Sequence, residues 1–194
     1  MYADSALFRS RVDMQRYRFG RGEYQYFAYP LPPVIAKLRT KLYRLLAPVA
    51  REWMAALSLP ADYPACLDVF LERCHAAGQC RPTPLILRYG PGDYNCLHQD
   101  IYGAIVFPFQ VVTALSHAGT DFTGGELLLV EQQPRAQSVG RVVHLEQGEA
   151  AVITTRYRPV KGTRGSYRTN MRHGVSPILS GERYTLGLIF HDAE

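Results

Sequence analysis

The spacing of apolar positions changes character near residue 84. Before it, the stretch 34–57, VIAKLRTKLYRLLAPVAREWMAAL, repeats apolar residues at intervals of three and four, the period of one helical face. Val34, Leu38, Leu42, Leu45 and Leu46 form the predicted buried stripe. Pro48 is expected to kink or split this helix, because it has no backbone N–H to donate. A second helix is expected over ADYPACLDVFLERCHAAGQ, with Asp62 followed by Pro64 as its start signal and Gly78 as its stop. The preceding RGEYQYFAYPLPP is aromatic-rich and reads as irregular.

From Pro84 the chain turns to short apolar runs separated by glycine turns: PLILRY, IVFPFQVVTAL, GELLLVE, VGRVVHLE, GEAAVITT and RYTLGLIF. Several short strands with turn signals predict a closed or two-sheet β domain, with the two helices as buttresses, hence an α+β chain. The segment 156–172, RYRPVKGTRGSYRTNMR, is the least regular part of this half and is expected to be a long loop returning to the sheet. At 194 residues the chain is expected to form one domain, 1–83 supplying an N-terminal arm and supporting helices and 84–194 the β core.

Composition adds few constraints. Hydrophobic residues make up 47% and charged residues 20%, ordinary for a soluble globular protein. The most apolar stretch, YGAIVFPFQVVTAL, is broken by Gln110 and falls short of the roughly 18–20 residues a membrane-spanning helix needs, so no membrane role is expected. The opening residues have no apolar core of the kind a secretory signal carries. Cys66, Cys74, Cys80 and Cys96 form no C-x-x-C pair and read as reduced thiols in a cytoplasmic setting. The formal charge is +5, and 19 of the 22 basic residues are arginines. Two runs concentrate them: Arg9, Arg11, Arg16, Arg18 and Arg21 with Asp13 as the one acid, and Arg156, Arg158, Lys161, Arg164, Arg168 and Arg172 with none. Such runs suit phosphate contacts, although a solvated face is the bland alternative.

The candidate chemistry lies in LHQDIYG. On a strand, residues two apart point the same way, so His98 and Asp100 can converge on one ion. A second histidine on that face would complete the two-histidine, one-carboxylate arrangement that holds non-haem Fe(II) and leaves three positions open. His117, His144, His173 and His191 lie downstream. His117 reads as a loop residue and His144 and His191 as structural. His173 is the best third ligand: it precedes an apolar strand and is followed ten residues later by Arg183, whose planar fork suits a carboxylate. The same ligands would also accept Mn(II), Co(II) or Ni(II).

With His98-x-Asp100, His173 and Arg183 in place, the chain resembles the 2-oxoglutarate and Fe(II)-dependent oxygenase superfamily over roughly residues 84–192. DFTGGELLLVE resembles a strand of its hydroxylases, and LILRYGPGDYNCLHQD is similar to the AlkB-type nucleic acid demethylases. More narrowly, the whole chain resembles a bacterial oxygenase family predicted to act on damaged DNA. The resemblance implies a double-stranded β-helix (jelly-roll) core and a reaction that consumes O2 and 2-oxoglutarate, yields succinate and CO2, and oxidises a substrate C–H bond. It implies His98, Asp100 and His173 as iron ligands and Arg183, Thr185 and Tyr89 as contacts to 2-oxoglutarate. Two departures from the AlkB pattern stand out: the asparagine before its R-Y falls on Leu87, and its second strand arginine is missing, Arg183 being followed by Thr185, Gly187 and Ile189. Arg183 with the Thr185 hydroxyl is closer to the prolyl-hydroxylase pattern.

Two enzyme readings follow. The first is oxidative demethylation of alkylated bases in DNA or RNA, with the arginines of 156–172 as phosphate clamps and Tyr94, Tyr102 and Tyr157 as stacking surfaces. The second is hydroxylation of a peptide or protein side chain. A basic β-barrel that binds nucleic acid without catalysis is the non-enzyme alternative. Oligomeric state has no sequence signal here.

Overall fold

The computed structural model describes residues 1–194. Its elements are β1 (Phe8–Asp13), β2 (Gly20–Arg21), β3 (Glu23–Phe27), α1 (Pro33–Ala56), α2 (Leu67–Ala76), β4 (Leu85–Tyr89), β5 (Tyr94–His98), β6 (Phe109–Ala114) and β7 (Phe122–Gly124). They continue as β8 (Leu127–Gln132), β9 (Val139–Val143), β10 (Ala150–Thr154), β11 (Tyr157–Gly162), β12 (Gly165–Val175), β13 (Ile178–Gly181) and β14 (Arg183–Ile189). One sheet has the order β1-β3-β4-β14-β6-β10 and the other β2-β5-β12-β8-β9, with β11 added to β12; β13 and β7 form a separate ribbon. From β4 onward the chain crosses repeatedly between the two sheets, with β8–β9 and β11–β12 as hairpins within the second, and the first strand of this run pairs with the last, Arg183 opposite Tyr89. This is a jelly-roll core with antiparallel pairing, buttressed by helices, as the sequence predicts.

Strand alternation divides the first of these sheets into two working faces. Ile86, Phe109, Val111, Leu186 and Leu188 point to the helices, where they pack with Ile35, Tyr43, Ala47, Leu67 and Phe70 in the principal core. Leu85, Leu87, Tyr89, Gln110, Val112, Arg183 and Thr185, the intervening residues, line a cavity between the sheets. No helix is long and apolar enough to cross a membrane.

Several local expectations need correction. The buried stripe of α1 is Ile35, Arg39, Tyr43, Ala47 and Ala50, while Val34, Leu38 and Leu45 are exposed and Leu42 and Leu46 flank the contact. Arg39 disguises the stripe in the sequence, because a guanidinium at its second position reads as polar. The helix runs unbroken through Pro48, which lies on the exposed side between two packed alanines, Ala47 and Ala50. α2 begins at Leu67 rather than at Asp62; Pro64 disfavours helical geometry at Tyr63, and the Asp62 carboxylate instead accepts from Arg73 at 2.9 Å. Gly78, at φ +86°, ends it as expected.

The N-terminal arm is also more ordered than its composition suggests. β3 carries Tyr24 and Tyr26 toward the cavity and Phe27 into the helix-packed core, and with β1 it extends the β4-β14-β6-β10 sheet. The segment 156–172 is not a loop but a hairpin, β11 on β12, in register from Tyr157 opposite Asn170 to Gly162 opposite Gly165. Its solvated faces lack apolar alternation, so the sequence pattern does not reveal the strand period. Beneath it, the buried Glu131 carboxylate accepts from Arg158 Nε and Nη2, both at 3.2 Å, and from the Thr169 hydroxyl at 3.1 Å.

Arg39 holds α1 to the end of the sheet. Its guanidinium, 1% exposed, donates to the Ile189 and Phe190 carbonyls, each at 3.0 Å, and to Asp192 Oδ1 at 2.7 Å. Asp192, fully buried, also accepts from the Tyr29 hydroxyl and pairs with His75 Nε2 at 2.9 Å. Removing one member of a buried pair leaves the other uncompensated. Arg39→Met is therefore expected to lower unfolding free energy by about 3–5 kcal/mol, read from urea unfolding; a loss below about 1 kcal/mol would show that the pair does not anchor the helix.

Candidate metal centre

β5 ends at His98, and antiparallel pairing with β12 sets the Cα of His173 directly opposite it. Asp100 lies two residues beyond, where the chain leaves the sheet. Between them Gln99 donates through Nε2 to the Met171 carbonyl at 2.8 Å, tying this exit to the strand that carries His173. The imidazole rings are 4.2 Å apart; Asp100 Oδ1 lies 3.5 Å from His98 Nε2 and Oδ2 lies 3.2 Å from His173 Nε2. All three donor atoms fall within 4.8 Å of one another.

The donor set fits a divalent cation. His98 Nδ1 lies 2.7 Å from the Cys96 carbonyl, which orients the ring so that Nε2 faces the carboxylate and the space a cation would fill. Burial by itself would raise the Asp100 pKa, but His173 and His98 outweigh it and hold the carboxyl well below its ordinary range. Two imidazoles and one carboxylate on one side form a 2-His-1-carboxylate triad of the kind that binds Fe(II) in 2-oxoglutarate oxygenases.

The cavity beside the triad has a volume of about 190 Å³ and is lined by a cation that no carboxylate touches directly, Glu126 acting on it only from a distance. Arg183, 6% exposed, makes no hydrogen bond and no salt bridge with the protein; its guanidinium lies 5.6 Å from the Tyr89 ring centroid and 5.9 Å from that of Phe122. Burial pushes its pKa down. Thr185 Oγ1 and Gln110 Nε2 are buried in the same cavity without partners. Three unsatisfied donors around one space suit an anion rich in oxygen acceptors. Gly124 and Gly125, at φ +73° and +65°, let the chain pass close to this group: a Cβ at Gly125 would lie 3.1 Å from Arg183 Cδ. Tyr89, fully buried, accepts from Asn95 Nδ2 at 3.3 Å, and its phenol is pushed up to about 12 by burial.

Other named residues fall elsewhere. His117 is exposed in its loop and His144 is exposed just past β9. His191 is fully buried; it accepts the Phe107 N–H at 3.3 Å through Nδ1, leaves Nε2 unpartnered, and is pushed down to about 4 by burial. Of the basic hairpin residues, Arg158 is committed to Glu131, while Arg156, Lys161, Arg164, Arg168 and Arg172 have no acidic partner. Arg168 and Arg172 alternate with buried Thr169, Met171 and His173, which puts them on the outer face of β12. Arg156 and Arg168 each lie 4.5 Å from the Tyr157 ring centroid.

Sequence reasoning missed Gln110 and misread Tyr102. The signal for Gln110 was present, as one amide in an otherwise apolar central strand. Tyr102 is not an open stacking surface: its hydroxyl donates to Asp100 Oδ1 at 2.5 Å, and burial, with the carboxylate beside it, raises the phenol's pKa well above the usual value. It therefore stays a donor and orients the carboxylate. Removing such an outer partner typically weakens metal affinity about 10–100-fold. Tyr102→Phe is expected to do so in Mn(II) or Co(II) titrations; an unchanged affinity would remove this role.

The family described as an oxygenase catalysing oxidative methylation of damaged DNA matches residues 22–193. Two uncharacterised proteins of Mycobacterium tuberculosis, from strains CDC 1551 / Oshkosh and ATCC 25618 / H37Rv, are each 56% identical over 167 residues, covering 86% of this chain and 72% of theirs. A Pseudomonas putida prolyl-4-hydroxylase superposes with a TM-score of 0.51 at 15% identity, over 92% of this chain and 76% of that one, a likeness of fold. With the family match running over most of the chain and a facial triad inside a jelly-roll core, the protein belongs to this AlkB-like oxygenase family and is an enzyme of the 2-oxoglutarate/Fe(II)-dependent dioxygenase type.

Proposed function

We propose that the enzyme oxidises alkylated bases in DNA or RNA, using Fe(II), 2-oxoglutarate and O2. The observation that carries the cosubstrate is the unpaired Arg183 guanidinium, enclosed in the same cavity as His98, Asp100 and His173. When bound, iron and 2-oxoglutarate supply the O2 activation, coupled to decarboxylation, that oxidises a C–H bond. His98, Asp100 and His173 hold the metal. Arg183 pairs with the distal carboxylate of 2-oxoglutarate, with Thr185 Oγ1 and Gln110 Nε2 as further donors and Tyr89 as the wall behind the guanidinium. The apolar lining, with Leu85, Leu87, Val112 and Leu127, excludes water and strengthens these contacts.

The nucleic acid assignment rests on the family's description and on the charge beside the site. Unpaired basic residues crowd the hairpin whose second strand carries His173, and Arg156, Lys161, Arg164, Arg168 and Arg172 would hold the phosphates of a strand laid along its outer face. An N-methyl carbon oxidised to the alcohol would leave as formaldehyde and restore the base. The alternative, a peptide or protein side chain as substrate, draws on Arg183 and Thr185 sharing the cosubstrate pocket. We place the reaction in the cytoplasm, where the exposed thiols of Cys66, Cys80 and Cys96 remain reduced.

The test is anaerobic loading with Fe(II) and 2-oxoglutarate, then O2, with succinate and formaldehyde followed over a panel of methylated oligonucleotides. Both products are expected to rise together with one oligonucleotide, and His98→Ala to abolish both. Succinate unaffected by every oligonucleotide but raised by a peptide would move the substrate to protein. Arg183→Met removes a charge-assisted interaction and is expected to raise the 2-oxoglutarate concentration for half-saturation about 10–100-fold. Half-saturation within twofold of the parent enzyme would take Arg183 out of the cosubstrate site.

A further inference from the structure

An aromatic pair stands exposed at the mouth of the metal cavity. Phe19 lines that cavity together with His98 and Gln99, yet it is 49% exposed; Tyr17, 61% exposed, lies parallel to it at 5.8 Å and 19°. Exposed apolar residues are common on this chain, but here two stacked rings adjoin each other at the mouth of a cavity, the contiguity that marks an interaction site. This pair is also held in place rather than fraying. Met14, fully buried against Tyr89, Phe122, Val175 and Ile178, roots the segment, and the Phe19 N–H donates to the Met14 carbonyl at 3.1 Å. The Phe19 carbonyl accepts from Cys96 N–H at 2.8 Å, two residues before ligand His98. Gly20, at φ +142°, permits this approach, since a Cβ there would sit 2.3 Å from the Tyr94 carbonyl oxygen.

Charge surrounds the pair. Arg16, Arg18 and Arg21 are exposed; Arg18 and Arg21 have no acidic partner, and Arg16 reaches Asp13 only at 3.8 Å. Arg16 and Arg21 also line a neighbouring polar cleft of about 590 Å³, where Arg11 and Arg88 stand with the carboxylates of Asp13, Glu23 and Asp93.

We infer that Tyr17 and Phe19 form a stacking platform for an unstacked base of a single-stranded nucleic acid, with Arg16, Arg18 and Arg21 holding the phosphates on either side. The inference rests on the nucleic acid reading above and gives it a second contact surface, on the opposite flank of β5 from the basic hairpin on β12. Flat apolar rings interleaved with cations match a strand in which flat bases alternate with anions; a peptide presents no such regular alternation. The platform also lies where a base would continue into the cavity, because one of its rings is part of the cavity wall.

The experiment is an anisotropy titration of a fluorescein-labelled 15-nucleotide oligothymidylate with the full chain, across a range of salt concentrations. Tyr17→Leu/Phe19→Leu is expected to weaken binding about 10–100-fold with the salt slope unchanged, since stacking carries no counter-ions. Phe19→Trp, which keeps a stacking ring, is expected to bind at least as well as the parent. Arg16→Gln/Arg18→Gln/Arg21→Gln is expected to reduce the salt slope by about 2, at roughly 0.7 for each phosphate no longer neutralised. If the parent binds and the leucine double variant binds equally, the platform is overturned while the nucleic acid reading stands. If the parent binds neither this strand nor its duplex, both fall together.

Discussion

The site depends on one register. His173 faces His98 across the β5–β12 pairing, and a slip of one residue would turn every side chain of β12 to the opposite face. The imidazole would then point to solvent, and Arg172 would take its place. Two constraints on β12 prevent this. On its other edge it pairs with β8 from Asn170 to Val175, and its inward residues Thr169, Met171 and His173 alternate with outward polar ones. Gln99, between the other two ligands, reaches across to the Met171 carbonyl and couples the Asp100 exit to the same strand.

The sheet that contains β4, β14 and β6 supplies the other half of the site by the same alternation. One face of β14 sends Leu186 and Leu188 into the helices; the other sends Arg183 and Thr185 into the cavity. Pairing of β14 with β4 then sets Arg183 against Tyr89. A desolvated guanidinium without a counter-ion is unfavourable, and the surrounding rings of Tyr89 and Phe122 compensate only in part. The helices keep this side of the sheet in place, α1 through the buried Arg39–Asp192 pair at the end of β14. The two buried arginines thus contrast: Arg39 is fully paired and joins elements, whereas the Arg183 guanidinium makes no hydrogen bond or salt bridge with the protein.

Charge on the basic hairpin divides in the same way. Arg158 and Thr169 satisfy the buried Glu131 and hold β11, β12 and β8 together, while the remaining basic residues stay unpaired. On the other flank, a short segment anchored by Met14 places Tyr17 and Phe19 at the cavity mouth. The metal centre is therefore bordered by two cationic surfaces, each built on a strand that neighbours β5.

The order of the chemical groups was legible without a structure. The spacing His98-x-Asp100 pointed to the pair, although β5 ends at His98 and the exit of the chain, not strand period, brings Asp100 to it. Most of the short apolar runs from Pro84 onward announce strands because they are covered on one side, β9 being exposed almost throughout. Gly78 ends α2 because a left-handed residue there is a local requirement. What tertiary structure decided are the cases where a polar side chain is buried or an apolar one is not. Arg39 occupies a core stripe because Asp192, distant in sequence, neutralises it, and Glu131 is buried because Arg158 reaches it from the hairpin. Tyr102 is a carboxylate partner and Phe19 an exposed ring beside the candidate metal site for the same reason, whereas Gln110, one amide in an apolar run, did leave a trace in the sequence. Burial and pairing are properties of neighbours brought together by folding, so no local pattern in the chain encodes them.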